Sequence, residues 1–307
     1  MEIAVGSEVG IWQKQNDDAH VSENVAPNVA LFGVADGFGT LGRGTTAATF
    51  ALGAVRDYIR RRQRLGAFGA RANSPSSIRA LVLGALDYAN ARLYAQSGSH
   101  EDFVAGGTSL TAVLVVGHHA FVGHVGDGRA YLLRLGRLEP ITNDDAIFTD
   151  AVPSAKSALS ARPRVRSLLW RSLGTQSKLE ASIAHVELLA GDQLVLCTDG
   201  VHRCVTADEI EETMQTSDSS AEVVARLLLM TKMRGNLDNG TLIVGRDLLV
   251  PTPLPAESPV HFEQTFRSVA ALVMLLCTAL FLAVLIYRAG TIEPSSGTPD
   301  SYAVDKH

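Results

Sequence analysis

Five aspartate-bearing stretches carry the chemistry legible in this chain. Asn16-Asp17-Asp18 lies near the N-terminus. Val34-Ala35-Asp36-Gly37, Val125-Gly126-Asp127-Gly128, Cys197-Thr198-Asp199-Gly200 and Leu237-Asp238-Asn239-Gly240 read as apolar strands ending in aspartate. Any one of them alone reads as an ordinary Asp-Gly or Asn-Gly turn. Together they pose an electrostatic problem. Converging strand ends would set the carboxylates against one another, and burial would push their pKa values up. Divalent cations remove that penalty. A ligand set of oxygen alone, with no His or Cys partner, selects hard ions such as Mg²⁺ and Mn²⁺. Two such ions lower the pKa of a shared water enough to attack a phosphate ester with no covalent intermediate.

The elements that must hold these residues follow from hydrophobic periodicity. Val29–Ala35 is an apolar strand. Thr45–Arg62 is a helix with Ala47, Phe50, Ala51, Ala54, Val55 and Ile59 on one side, and Ser76–Gln96 is a second helix. Strands follow at Ser109–Val116, Ala120–Val125 and Arg129–Leu135, with a short return after Gly136, then at Leu179–Leu188 and Gln193–Thr198. Thr206-Ala207-Asp208-Glu209 has the capping-box pattern of a helix start. Ala221–Met233 is a further helix and Thr241–Gly245 a last strand. The long helices come together between blocks of strands. That favours an α+β fold with antiparallel sheets over a parallel doubly wound one.

Composition narrows the function classes. The chain has 307 residues, 46% hydrophobic and 19% charged, which excludes a disordered chain. Its net charge of −5 argues against a nucleic-acid partner, which would need Lys and Arg to displace counterions. The three cysteines, Cys197, Cys204 and Cys277, exclude a disulfide scaffold and follow no zinc spacing. Arg60-Arg61-Arg62 reads as a solvated helix end, and His118-His119 as a turn between strands.

The stretches and their order resemble the type 2C, metal-dependent serine/threonine protein phosphatases. The matching segments are Asn16-Asp17-Asp18-Ala19, Val34 to Gly39, Gly106 to Thr111, Val125 to Arg129, Arg171-Ser172-Leu173-Gly174, Gly191-Asp192 through Asp199-Gly200, and Asp238 to Thr241, covering essentially residues 1–246. The resemblance implies a β-sandwich of two antiparallel sheets flanked by helix pairs, with two Mn²⁺ or Mg²⁺ ions at one end. Asp36 would bridge the ions and the Gly37 carbonyl would bind the first. Asp199 and Asp238 would hold the second. Asp17 stands where the family usually has Glu, and Asp18 would orient the attacking water. Asp127 with Asp199 matches a third-ion site of bacterial members, and Asn239 would fix Asp238. Gln13 replaces the Arg that grips the substrate phosphate, and an amide cannot make that charge-assisted bidentate contact. Lys14 and Arg43 are the cations near enough in sequence to substitute. Thr142-Asn143-Asp144-Asp145-Ala146 departs from the family's Asp-His-Ser. The segment from Asn143 to Trp170, with Arg162, Arg164 and Arg166, corresponds to a variable flap.

Beyond the catalytic domain at 1–248, the expected organisation is a linker at 249–266, a transmembrane helix at 267–288 and a short unfolded tail at 289–307. The linker holds Pro251, Pro253, Pro255 and Pro259 and is a semi-rigid spacer. Residues 269–287 run 19 residues without a charge, about 28 Å as a helix, close to the hydrocarbon core. The N-terminus lacks the basic and apolar regions of a signal peptide. The expectation is therefore a single-pass membrane protein with its catalytic domain in the cytoplasm. It would act on phosphorylated proteins, with a serine/threonine kinase as its counterpart. The rival reading is a pseudophosphatase that binds phosphoproteins or a kinase at the membrane.

Overall fold

The computed structural model describes residues 1–11, 13–39, 44–68, 74–97, 106–149, 166–246 and 248. The chain divides into two units, Met1–Ala256 and Glu257–His307, and every described residue lies in the first. The expected linker, transmembrane helix and tail, residues 249–307, lie outside the described residues. Among the described residues no helix is long and apolar enough to cross a membrane.

Strands β1 (Glu2–Glu8), β2 (Asp18–Ala26) and β3 (Val29–Phe38) precede helices α1 (Gly44–Arg64) and α2 (Pro75–Ser97). Strands β4 (Gly107–Thr108), β5 (Leu110–Val116), β6 (His119–Val125), β7 (Arg129–Arg134) and β8 (Arg137–Pro140) follow. A small ribbon of β9 (Ala146–Thr149) and β10 (Arg166–Leu169) comes next. The chain continues through β11 (Ser182–Glu187), β12 (Gln193–Cys197), α3 (Asp199–His202), α4 (Ala207–Thr216), α5 (Ser220–Met233) and β13 (Gly240–Arg246). One sheet runs β1-β13-β12-β7-β8. The other runs β11-β6-β5-β3-β2, with β4 paired to β3. The pairings are antiparallel, from β1 with β13 through β5 with β6.

Three apolar layers explain the α-β-β-α order. Alternate residues of β3 separate cleanly. Ala30, Phe32 and Val34 enter the core between the sheets with Val113, Val115, Leu194, Leu196 and Ile243. Leu31 and Ala35 face the other way, into a layer with Ala51, Val55, Leu86 and Leu93 of α1 and α2. On the opposite sheet, Val195, Cys197, Leu242 and Val244 pack under Ile210, Met214, Val223 and Leu227 of α4 and α5. Strands covered on both faces must be apolar at every position, which is why β3 and β5 read as continuous runs and not as alternation.

The expected α+β class and antiparallel sheets hold. The capping box of α4 is present, with the Thr206 side chain accepting from the Glu209 N–H and Glu209 reaching back. The sequence reading leaves out β1, β2 and the β9–β10 ribbon. In β1, Glu2, Ser7 and Glu8 dilute the apolar signal, yet the strand forms a complete ladder with β13 from Glu2–Arg246 to Glu8–Gly240. Arg60, at the solvated end of α1, is ion-paired. It folds back onto β2 in a two-pronged ion pair with Glu23, at 3.0 and 2.6 Å.

Candidate metal centre

The strand registers that build the core between the sheets also build the site. Continuing the inner face of β3 from Phe32 and Val34 gives Asp36. Its direct partner across β2 is Asp18. The inner face of β12 continues from Leu194 and Leu196 to Thr198. In β13 it runs from Ile243 back to Thr241, and in β1 from Ile3 and Val5 to Ser7. At one end the apolar filling thus gives way to two aspartates and three hydroxyls. These groups lock together. The Thr198 hydroxyl donates to Asp18 Oδ2 at 2.8 Å, joining the two sheets, and the Thr241 N–H donates to Thr198 Oγ1 at 2.9 Å. Ser7 and Thr241 hydroxyls meet at 2.6 Å, and the Asn16 amide donates to Ser7 at 2.8 Å. Asn16 also accepts the Asp18 N–H at 3.0 Å, which aims the entry into β2.

The other aspartates arrive on loops at the same end. Asp127 follows β6 in a turn entered through Gly126, whose φ of 105° favours glycine. Asp199 does not end a strand. It opens the short helix α3, with Thr198 as N-cap, where a carboxylate suits the helix dipole. Asp238 likewise precedes β13, where the sequence reading has it ending a strand. Gly200 is required because a Cβ there would run into the Asn239 carbonyl. This close approach brings the Asp199 and Asp238 loops together.

Electrostatics follow from this gathering. Burial first, then the charges of Asp199, Asp18, Asp238 and Asp127, raise the Asp36 carboxyl well above its ordinary range. Burial pushes Asp199 up to about 8, with Asp127 adding to the rise and Arg203 opposing it. Burial also lifts Asp18 to about 6, held down in part by the Thr241 and Thr198 hydroxyls. Asp18 Oδ1 and Asp199 Oδ1 are buried with no hydrogen-bond partner. A buried carboxylate oxygen left without a partner is costly, and a hard cation would supply what is missing. Among the described residues no three His, Cys, Asp or Glu side chains already enclose a single ion-sized point. Ion binding would therefore draw the carboxylates inward.

The remaining residues assigned by resemblance take definite places. Asp17 sits beside the site. Its carbonyl accepts the Gly37 N–H at 3.2 Å, and its carboxylate accepts the Gln15 amide at 2.9 Å. Gly37 lies in β3, paired with Thr108 of β4. The Asp36 carbonyl accepts the Ser109 N–H at 2.9 Å and the Thr108 hydroxyl at 2.8 Å. Gln13 is exposed, and its amide donates to Asp238 Oδ1 at 3.2 Å. Asn239 reaches Asp238 through its backbone N–H at 3.0 Å, while its side-chain oxygen accepts from Gly10 at 3.2 Å. Asn236 helps as well, accepting the Asp238 N–H at 3.2 Å. Lys14 is exposed. Arg43 lies outside the described residues, as do Arg162 and Arg164.

Several participants escape the sequence reading. Arg203 contacts both Asp127 Oδ2, at 3.2 Å, and Asp199 Oδ2, at 2.7 Å. Its i,i+4 spacing from Asp199 is the signal that could have found it. The ring of His202 bonds the Asp127 carbonyl at 2.8 Å, and burial, followed by the Arg129 charge, lowers its pKa to about 4. Asp145, in place of the family His, is buried and ion-paired to Arg171 at 2.5 Å. Its carboxylate also accepts the Gly126 N–H at 3.2 Å, bracing the turn that carries Asp127. Asp144 beside it makes a bidentate pair with Arg129, both arms at 2.8 Å.

Residues 11–239 match the protein phosphatase 2C family. The serine/threonine protein phosphatase PstP of Mycobacterium tuberculosis is 30% identical over 247 residues, which are 80% of this chain and 44% of that protein. The chain thus spans less than half the length of that relative. The serine/threonine phosphatase stp of Listeria monocytogenes is 27% identical over 242 residues, 78% of this chain and 92% of the relative. The crystal structure of the M. tuberculosis phosphatase PstP/Ppp superposes with a TM-score of 0.64 at 28% identity, covering 79% of this chain and 97% of that one. The PstP catalytic domain in complex with two manganese ions gives a TM-score of 0.62 at 27% identity, covering 79% and 96%. The family match over residues 11–239, on a fold shared with the solved PstP structure, places the chain within the protein phosphatase 2C family.

Proposed function

We propose that the protein is a metal-dependent phosphoserine/phosphothreonine protein phosphatase using two Mn²⁺ or Mg²⁺ ions. The observation that carries this is Asp36, raised by burial and by four neighbouring aspartates, with orphaned oxygens on Asp18 and Asp199 beside it. The donor set is oxygen alone and suits hard ions. Asp36 would bridge both ions, the Gly37 carbonyl and Asp17 would complete the first, and Asp199 and Asp238 the second. When bound, such ions supply a water acidic enough to attack phosphorus and neutralise the phosphate charge.

The chain's own residues do the remaining work. Asp18, held by the Thr198 hydroxyl, would accept a hydrogen bond from the attacking water and fix its direction. Asn239 and Asn236 hold the Asp238 loop. Gln13, beside Asp238, offers the substrate phosphate a neutral donor where a guanidinium would add charge. Lys14 and Arg43 are the nearest cationic substitutes in sequence. A pseudophosphatase would have no use for so costly a carboxylate cluster.

The reading extends to cellular setting. Residues 269–287 would anchor the enzyme in a membrane. The catalytic domain would then face the cytoplasm, where unbridged thiols such as Cys197 and Cys204 are the rule. Tethering would raise its effective concentration towards membrane-bound phosphoproteins and their serine/threonine kinase. Fractionation checks the anchor: the full chain should sediment with membranes, and a soluble full chain would contradict it. Phosphate release from a phosphothreonine peptide checks the activity. It should require Mn²⁺ or Mg²⁺ and stop in excess chelator. Undiminished release in chelator would overturn the reading.

A further inference from the structure

The position that the resemblance gives to a third ion, between Asp127 and Asp199, does not fit an ion in this chain, because a guanidinium occupies it. We propose that Arg203 is a resident cation that bridges Asp127 and Asp199 in place of a third metal ion, so that the protein binds two divalent ions and no more. The inference rests on the phosphatase reading and specifies its metal count.

Both carboxylates are almost wholly buried, at 3% and 5% side-chain exposure, while Arg203 is 26% exposed and reaches in from the surface. Two buried negative charges side by side require a counter-charge. The helix geometry supplies it. Asp199 opens α3 and Arg203 closes it, its backbone N–H bonded to the Asp199 carbonyl at 2.9 Å. This places residue 203 on the same face as residue 199. The Nη2 atom then touches Asp199 Oδ2 at 2.7 Å and Asp127 Oδ2 at 3.2 Å. The His202 ring bonds the Asp127 carbonyl at 2.8 Å and fixes the residue's approach. A dication entering this gap would meet a fixed positive charge at contact distance, and both facing oxygens are taken. Asp199 Oδ1 remains, buried and without a hydrogen-bond partner. Asp199 thus divides its two oxygens, one for the guanidinium and one for the dinuclear site. A cation attached to the chain is not lost on dilution, as an ion held by two carboxylates would be.

The test counts manganese bound per chain, by native mass spectrometry and by titration of free Mn²⁺ with electron paramagnetic resonance. The wild-type full chain should bind two ions, and Arg203→Lys should also bind two. Arg203→Ala should open a third, weaker site. Asp127→Asn, which keeps the fold's shape and leaves the Arg203–Asp199 pair, should still bind two. Three ions on the wild type would overturn the inference, as would a folded Arg203→Ala limited to two or a loss of one ion in Asp127→Asn. No ion on any variant would overturn the phosphatase reading together with this inference.

Discussion

Asp36 sits where the protein itself makes a charge expensive. Burial and four neighbouring aspartates all favour its neutral form. That cost is acceptable only if something binds there, the usual relation between strain at a site and its function. Asp36→Asn should therefore have opposite effects on stability and activity. Removing the charge relieves the repulsion, so melting in chelator should move to a higher temperature. Removing the carboxylate proposed to bridge the ions should cut phosphate release by well over tenfold, a loss above ~1.4 kcal/mol. Calorimetry in chelator and a phosphate assay in Mn²⁺ read the two effects. A lower Tm together with near-normal activity would place the site elsewhere. Asp36, Asp127 and Asp199 are legible in the sequence because each stands before glycine after an apolar run, and Asp17-Asp18 and Asp238-Asn239-Gly240 because of their acidic pair and turn pattern. Arg203 is not, because its role depends on α3 turning it back onto Asp199, and the sequence reading ends a strand at that point.

At the scale of elements, the site is the polar end of a register. The alternation that sends Phe32, Leu196 and Ile243 into the core between the sheets sends Asp36, Thr198 and Thr241 to its end. Once the strands are paired, no further device is needed to converge them. Thr198 is the tie, donating to Asp18 on one sheet and accepting from Thr241 on its own. Thr198→Val keeps the shape but leaves a buried N–H and a buried carboxylate without their partner. It should cost about 1–3 kcal/mol in urea unfolding and weaken Mn²⁺ binding by misaiming Asp18. Unchanged stability would mean that the hydroxyl bridge is not formed. The central strands are legible as continuous apolar runs, and both long helices from the helical spacing of their apolar residues. β2 carries His20, Ser22 and Asn24 on one face, and at this edge of the sandwich its polar pattern resembles a loop. Asp199-Gly200 opens a helix and not a hairpin, and the glycine there serves a close approach to the Asn239 carbonyl that only the three-dimensional structure shows.

For the whole molecule, the carboxylate cluster couples folding, pH and metal. Asp199 is raised from 3.8 to about 8 and Asp18 to about 6. Groups with raised folded-state values bind protons more tightly in the folded chain than in the unfolded one. Their contribution to stability is full below about pH 4 and is lost as pH climbs through about 8. Metal-free protein should therefore show a falling Tm across that window, and saturating Mn²⁺ should flatten or reverse the fall, because ions compete with protons for the same oxygens. Thermal scans in chelator and in Mn²⁺ at several pH values check it. A metal-free Tm that rises steadily from pH 4 to 8 would show that these aspartates are not mutually destabilising.

The central claim is that Asp36, Asp199 and Asp238 converge on a dinuclear metal site at the end of the sandwich. Anomalous diffraction from crystals grown with Mn²⁺ tests it most directly. The account predicts two manganese peaks, both touching Asp36, one completed by the Gly37 carbonyl and the other by Asp199 and Asp238. Peaks confined to other residues, or none at saturating Mn²⁺, would contradict it.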